Sequence, residues 1–231
     1  MSRWRKTLAL CVSALLAAAT TAFVPRYEEP APADADDARF LREQRLPERT
    51  ADALNAYLGL PYTVEVLARS CAGEGSGYDP GTRRIELCYD DLAEERELVT
   101  ADGDVADVMT ETLYHEAGHA LVDALDLQVG GARAEEDAAD RFAALMLIRE
   151  GPGGERVLRT AAEAYSRTPP DPDPGRDEHA PPAARAAAHL CLLHAAAPER
   201  HPDLADRTRD CTPTWPRARD AWTRDLAPLL R

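Results

Sequence analysis

Apolar residues recur at helical spacing along most of this chain and at strand spacing in only two short stretches. Between Asp104 and Asp126, Val105, Val108, Met109, Leu113, Val122 and Leu125 supply the apolar positions, with no proline among them. That spacing predicts one amphipathic helix. A second pattern opens after Gly130-Gly131 and predicts a helix over Glu135–Arg149. Further helices are expected at Glu48–Leu58, ended by Leu60-Pro61, and at Asp91–Leu98 and Glu155–Arg167. Beyond a linker at Thr168–Asp177, two more are expected at Pro182–Ala196 and Ala218–Leu230. Thr63–Ala68 and Arg83–Cys88 read as strands. The stretch between them is rich in turn formers (Gly73, Gly75, Gly77, Asp79-Pro80-Gly81), which predicts a hairpin with a long loop. No internal repeat interrupts this order. The expected class is α+β, mostly helical.

The N-terminus departs from the amphipathic rule. Arg3, Arg5 and Lys6 precede an apolar run from Leu8 to Ala19, and Thr20-Thr21-Ala22 offers a small-residue cleavage site, which predicts a signal peptide over residues 1–22. The competing reading, an uncleaved anchor, is disfavoured because Leu8–Val24 falls short of the roughly 20 residues that a span needs. Membrane attachment is expected only if this segment is retained. Glu28–Ala38 is a run of Glu, Pro, Ala and Asp, so residues 23–39 read as a flexible spacer ahead of a single domain at 40–231.

Removal of residues 1–22 would leave Cys71, Cys88, Cys191 and Cys211. An even count in an exported chain suggests two disulfides. Three pairings are open, and Cys71–Cys88 with Cys191–Cys211 is preferred because these are nearest in sequence. Each bridge would contribute about 3 kcal/mol in the chain-entropy account. The segment removed has three basic and no acidic residues, so the formal charge would move from −14 to −17. A surface this acidic argues against nucleic acid as a partner.

The chemistry is concentrated at His115-Glu116-Ala117-Gly118-His119. On a helix, residues four apart share a face, so both imidazoles can reach one zinc ion with Glu116 beside it. A catalytic zinc takes three protein ligands and keeps a fourth position for water, whose pKa it lowers. The third donor is sought in Glu135-Glu136-Asp137-Ala138-Ala139-Asp140, where Glu136 and Asp140 lie one turn apart. Glu136 is the expected ligand and Glu135 the fallback. Asp140 is expected to accept the remaining ring N–H of a ligand histidine. On their own, these carboxylates would read as a solvated acidic first turn. Gly118 would let a neighbouring backbone approach closely.

Cys71, Tyr78-Asp79-Pro80, Ile85-Glu86-Leu87-Cys88-Tyr89, the His115–His119 motif and Glu135–Ala143 together resemble a bacterial family of candidate metallopeptidases, known chiefly as a domain of unknown function. The likeness runs from about Leu46 to the C-terminus. That family is classed with gluzincin-like zincins, which implies an active-site helix beside a short antiparallel sheet. It also implies strand addition of an extended peptide, with Ile85–Cys88 as a candidate rim of the cleft. Towards the C-terminus Asp177-Glu178-His179, Arg185 and Cys191 match the family's pattern, but Ala184 and Ala188 stand where it has Gln and Asn. His179 is a candidate oxyanion donor by analogy with thermolysin-like enzymes, with a structural role as the alternative. His189, His194 and His201 read as surface groups without chemistry.

The expected function is hydrolysis of peptide bonds outside the cytoplasm, with Zn2+ held by His115, His119 and Glu136, and Glu116 as general base. The substrate would be a peptide or protein. Two rivals remain open: a non-catalytic exported protein with structural zinc, and a zinc hydrolase of a non-peptide amide such as a cell-wall bond.

Overall fold

A computed structural model describes residues 22–170, 178–211 and 215–231. The expected signal peptide lies outside them except for Ala22. Four strands form a mixed sheet in the order β1-β2-β4-β3: β1 (Phe23–Tyr27), β2 (Val64–Arg69), β3 (Gly77–Asp79) and β4 (Arg84–Cys88). Eight helices were described: α1 (Ala35–Gln44), α2 (Leu46–Tyr57), α3 (Asp91–Leu98), α4 (Asp102–Ala124), α5 (Ala132–Arg149), α6 (Pro152–Tyr165), α7 (Pro182–Ala196) and α8 (Trp215–Asp225). The fold is α+β and mostly helical. Because α4 packs on β3 and β4 on one side and on α5 and α6 on the other, it is the central element.

The sheet differs from the expectation in two ways. β2 and β4 are parallel neighbours, in register from Glu65↔Arg84 to Arg69↔Cys88, and among the described residues the sheet's only antiparallel pairing is β3 with β4. The turn-rich stretch is long enough to carry the chain back and to place β3 within it, so the tight hairpin is β3–β4 instead of β2–β4. In addition, residues 23–39 are not a spacer. Phe23–Tyr27 pairs in parallel with Val64–Ala68, Phe23 is buried, and α1 begins at Ala35. The Asn55 side chain accepts from the N–H groups of Ala22 and Phe23 and donates to the Phe23 carbonyl, fixing the start of β1. The Pro-Ala-Asp composition hid this because only Phe23 and Ala38 between residues 23 and 39 are deeply buried anchors.

Both preferred disulfides are present, Cys71–Cys88 and Cys191–Cys211. The first ties the end of β2 to the end of β4. Nearby, the Asp90 carboxylate accepts from the N–H groups of Cys71 and Gly73, and Asp91 accepts from the N–H and hydroxyl of Ser76. The loop leading to β3 is therefore held at several points.

The approach of α4 to α5 depends on Gly118. A methyl group there would meet the Ala139 Cα at 2.7 Å and its Cβ at 3.1 Å, so the helices would have to separate. Within the same bundle Glu95 of α3 has a buried oxygen, Oε2, with no hydrogen-bond partner among the described residues. Burial and then the neighbouring Asp91 and Glu111 raise its carboxyl from the usual 4.5 to about 7.

Two measurements follow from this packing. Gly118→Ala should destabilise the protein by about 1–3 kcal/mol, the usual effect of overpacking, as read from the urea midpoint. An unchanged midpoint would contradict the close approach. For Glu95, a raised folded pKa means that stability falls as pH rises from 4.5 towards 7, while the unfolded carboxyl ionises and the folded one resists. Glu95→Gln should therefore gain stability over wild type between pH 5 and pH 8; an equal difference at both pH values would contradict this burial.

Candidate metal centre

His115 and His119 project from one face of α4, and Glu135, Glu136 and Asp140 project from the start of α5 packed across it. The ring Nε2 of His115 lies 3.2 Å from His119 Nε2 and 3.1 Å from Glu136 Oε2, and His119 Nε2 lies 3.5 Å from the same oxygen. Each imidazole is held from behind by its other nitrogen. His115 Nδ1 donates to Asp140 Oδ1 at 2.8 Å, and His119 Nδ1 donates to Glu135 Oε1 at 3.0 Å. With both Nδ1 atoms committed as donors, each neutral ring turns an Nε2 lone pair towards the same point.

Two lone pairs 3.2 Å apart beside a carboxylate require a cation between them. In a protein without metal, that cation is a proton. Burial opposes charge on His115, but hydrogen bonds to Asp140 and Glu136 outweigh it and raise the imidazole to about 10. Burial likewise opposes charge on Glu136, while His115, His119 and His179 pull its carboxyl far below the usual range. A zinc ion can take the proton's place. Tetrahedral zinc with bonds of about 2.0–2.2 Å separates its donors by roughly 3.3–3.5 Å. The three separations found here fall around that edge length, so the donor set fits zinc.

Glu116, 7% exposed, lines a cleft of about 540 Å³ together with His119, Glu136 and His179. The far wall is Ser76, Gly77, Tyr78 and Pro80, in and around β3. Ile85–Cys88 was the candidate rim, but β4 is paired with β2 on one side and β3 on the other, so β3 carries the free edge. Tyr78 donates to Asp123 at 2.8 Å; burial, and then that bond, push its hydroxyl well above the usual tyrosine range, so it stays protonated.

His179 Nε2 sits 2.9 Å from Glu136 Oε2, with its ring stacked on His115 at 5.8 Å between centroids. The structure thus brings together every residue singled out for the site. Ala184 and Ala188 face solvent on α7, whereas Arg185 and His189, each one position later, face inward.

Those two residues complete a buried network that the sequence reading missed. Arg185 grips Asp140 with two hydrogen bonds, at 3.0 and 2.6 Å, and lies 4.3 Å over the Tyr165 ring. Tyr165 donates to Glu111 at 2.8 Å, and Glu111 pairs with His189 at 2.9 Å, both side chains being wholly buried. His189 is therefore a core residue and not a surface one. His194 and His201 are also paired, with Thr208 and Glu155. The available signal was spacing: Glu111 stands one turn before His115, and His189 one turn after Arg185.

A family model described as "Putative metallopeptidase" matches residues 27–226. No curated protein and no solved structure matches the chain. A family of metallopeptidases implies a metal at the active centre and a peptide or protein as substrate. The match spans most of the 231 residues, including both helices that carry the candidate ligands and the buttressing network, and the chain belongs to this "Putative metallopeptidase" family.

Proposed function

We propose that this chain is a zinc-dependent metallopeptidase of gluzincin type that acts outside the cytoplasm. The observation that carries the reading is the convergence of His115 Nε2, His119 Nε2 and Glu136 Oε2 while a carboxylate holds each imidazole from behind. His115, His119 and Glu136 would be the metal's ligands. When bound, zinc supplies a Lewis acid that polarises the scissile carbonyl and makes the attacking water more acidic.

The chain's own groups do the rest. Glu116 accepts the proton of the attacking water and returns it to the leaving amine. Asp140 and Glu135 fix the histidine tautomers and strengthen the rings as donors. Arg185 holds Asp140 in place from the opposite side. The free edge of β3 suits an extended peptide laid along the cleft by strand addition. His179 would donate to the developing oxyanion once it has turned from Glu136. Two disulfides and the expected signal peptide support export, and among the described residues no helix is long and apolar enough to cross a membrane.

The contact between His179 and Glu136 favours a second reading, in which the metal is closed off and structural. Hydrolysis separates the two. Glu116→Gln should keep its zinc and lose about 10²–10⁴-fold in turnover of an unstructured protein substrate, the usual contribution of a positioned acid–base group. Full activity in that variant would contradict the mechanism, and no cleavage by wild type carrying one zinc would favour the structural reading. His119→Ala should lose the metal by elemental analysis. Asp140→Ala should bind zinc about 10–100-fold more weakly in competition with a chelator, and an unchanged affinity would remove its supporting role.

A further inference from the structure

Two elements that face each other across the cleft are held in place by different parts of the fold. One is α4, which carries His115, Glu116 and His119, and the other is β3 with its flanks, Ser76, Gly77, Tyr78 and Pro80. Both ends of β3 are tied away from the metal centre. The Ser76 hydroxyl accepts from the Cys88 N–H and donates to Asp91, and Asp79 accepts from the Gly81 N–H and the Thr82 hydroxyl. A single bond crosses to α4. The Tyr78 hydroxyl donates to Asp123 Oδ2 at 2.8 Å, and among the described residues no other hydrogen bond joins β3 to that helix. Asp123 stands one helical turn beyond His119, as His119 stands one turn beyond His115, so the acceptor belongs to the row of side chains that carries the proposed ligands. At Gly77 the wall of the cleft is main chain. No atom among the described residues lies within 4 Å of where a Cβ would stand, and the backbone there is not left-handed, so neither packing nor conformation requires a glycine at that point.

We infer that Tyr78 and Asp123 are a positioning pair for the substrate: their hydrogen bond sets the free edge of β3 at a fixed offset from His115 and His119, so that a peptide main chain lying along Gly77 presents its scissile carbonyl at the metal. The role rests on the peptidase reading above and adds to it the two residues that fix the register. Neither residue touches the reacting atoms. They act through the strand, which is three residues long and paired on one side only, with β4. Main-chain hydrogen bonds give strand addition its affinity, and they need both edges at a constant separation. The net worth of one hydrogen bond corresponds to roughly two- to tenfold in an equilibrium, which is the scale of effect expected from the pair.

The test is titration calorimetry on zinc-loaded wild type, Tyr78→Phe, Asp123→Ala and the double variant with two probes. Acetohydroxamate reaches the metal alone, whereas the hydroxamate of acetyl-trialanine adds a peptide main chain without large side chains. Wild type should bind the peptide probe more tightly than acetohydroxamate. In each single variant that margin should fall by roughly two- to tenfold, with zinc content and acetohydroxamate affinity unchanged. The double variant should lose no more than the larger of the two single losses, because both substitutions remove the same bond. An undiminished margin in both single variants would overturn the inference. So would an equal loss of affinity for the two probes, since that marks a general disturbance of the site and not a lost register. A wild type that holds one zinc and binds both probes equally would overturn the peptidase reading and the inference with it, and a wild type without zinc would overturn the metal site. These last two results are read from wild type alone and are thereby distinguishable from the first two.

Discussion

The contact between Gly118 and Ala139 is the constraint on which the site depends. At that point two helices, α4 and α5, pass so closely that a methyl group has no room. One turn to either side of the crossing stand His115 and Glu136 on facing surfaces, with His119 and Asp140 beside them. Helical residues four apart share a face, so a single close crossing brings both imidazoles against Glu136 and His115 against Asp140 as well. The sheet contributes little to this arrangement directly. It supports α4 from below through β3 and β4 and supplies the opposite wall of the cleft.

Electrostatics then makes the crossing a candidate metal site and not merely a packed core. Glu111, Glu116, Glu136 and Asp140 are all buried at or near α4 and α5, a concentration of negative charge that a core does not tolerate unpaired. The cations within reach are Arg185 and the imidazoles. Arg185 takes Asp140, and Asp140 takes His115 Nδ1, so positive charge is consumed at the back of the site. What remains at the front is Glu136 with two imidazole lone pairs. Behind them, Glu111 pairs with His189 and accepts from Tyr165; burial pushes its carboxyl up, but His189, and after it Arg185, hold it below the usual range. The network therefore supports the ligands and at the same time leaves room for one more positive charge.

Much of this was legible in the chain because helices carry it. The His115–His119 spacing, the Glu136–Asp140 spacing, Gly118 and the nearest-neighbour disulfides are local patterns whose meaning does not require knowing what lies across the fold. Failures came where a partner is distant in sequence. β1 reads as a spacer until β2, some forty residues away, is set beside it, because a parallel pair has no turn to announce it. His189 looks solvent-facing on a short alanine-rich helix, and only α4's Glu111 reveals it as core. Glu135 was considered as a ligand, whereas its carboxylate meets the Nδ1 of His119, a distinction of one atom that no spacing rule makes.

The central claim is that His115, His119 and Glu136 hold one zinc ion. An anomalous difference map at the zinc absorption edge, from crystals of the zinc-loaded protein, tests it directly. The account predicts a single strong peak about 2.0–2.2 Å from His115 Nε2, His119 Nε2 and a Glu136 carboxylate oxygen. A peak elsewhere, or no peak with these three side chains bonded only to one another, would contradict it.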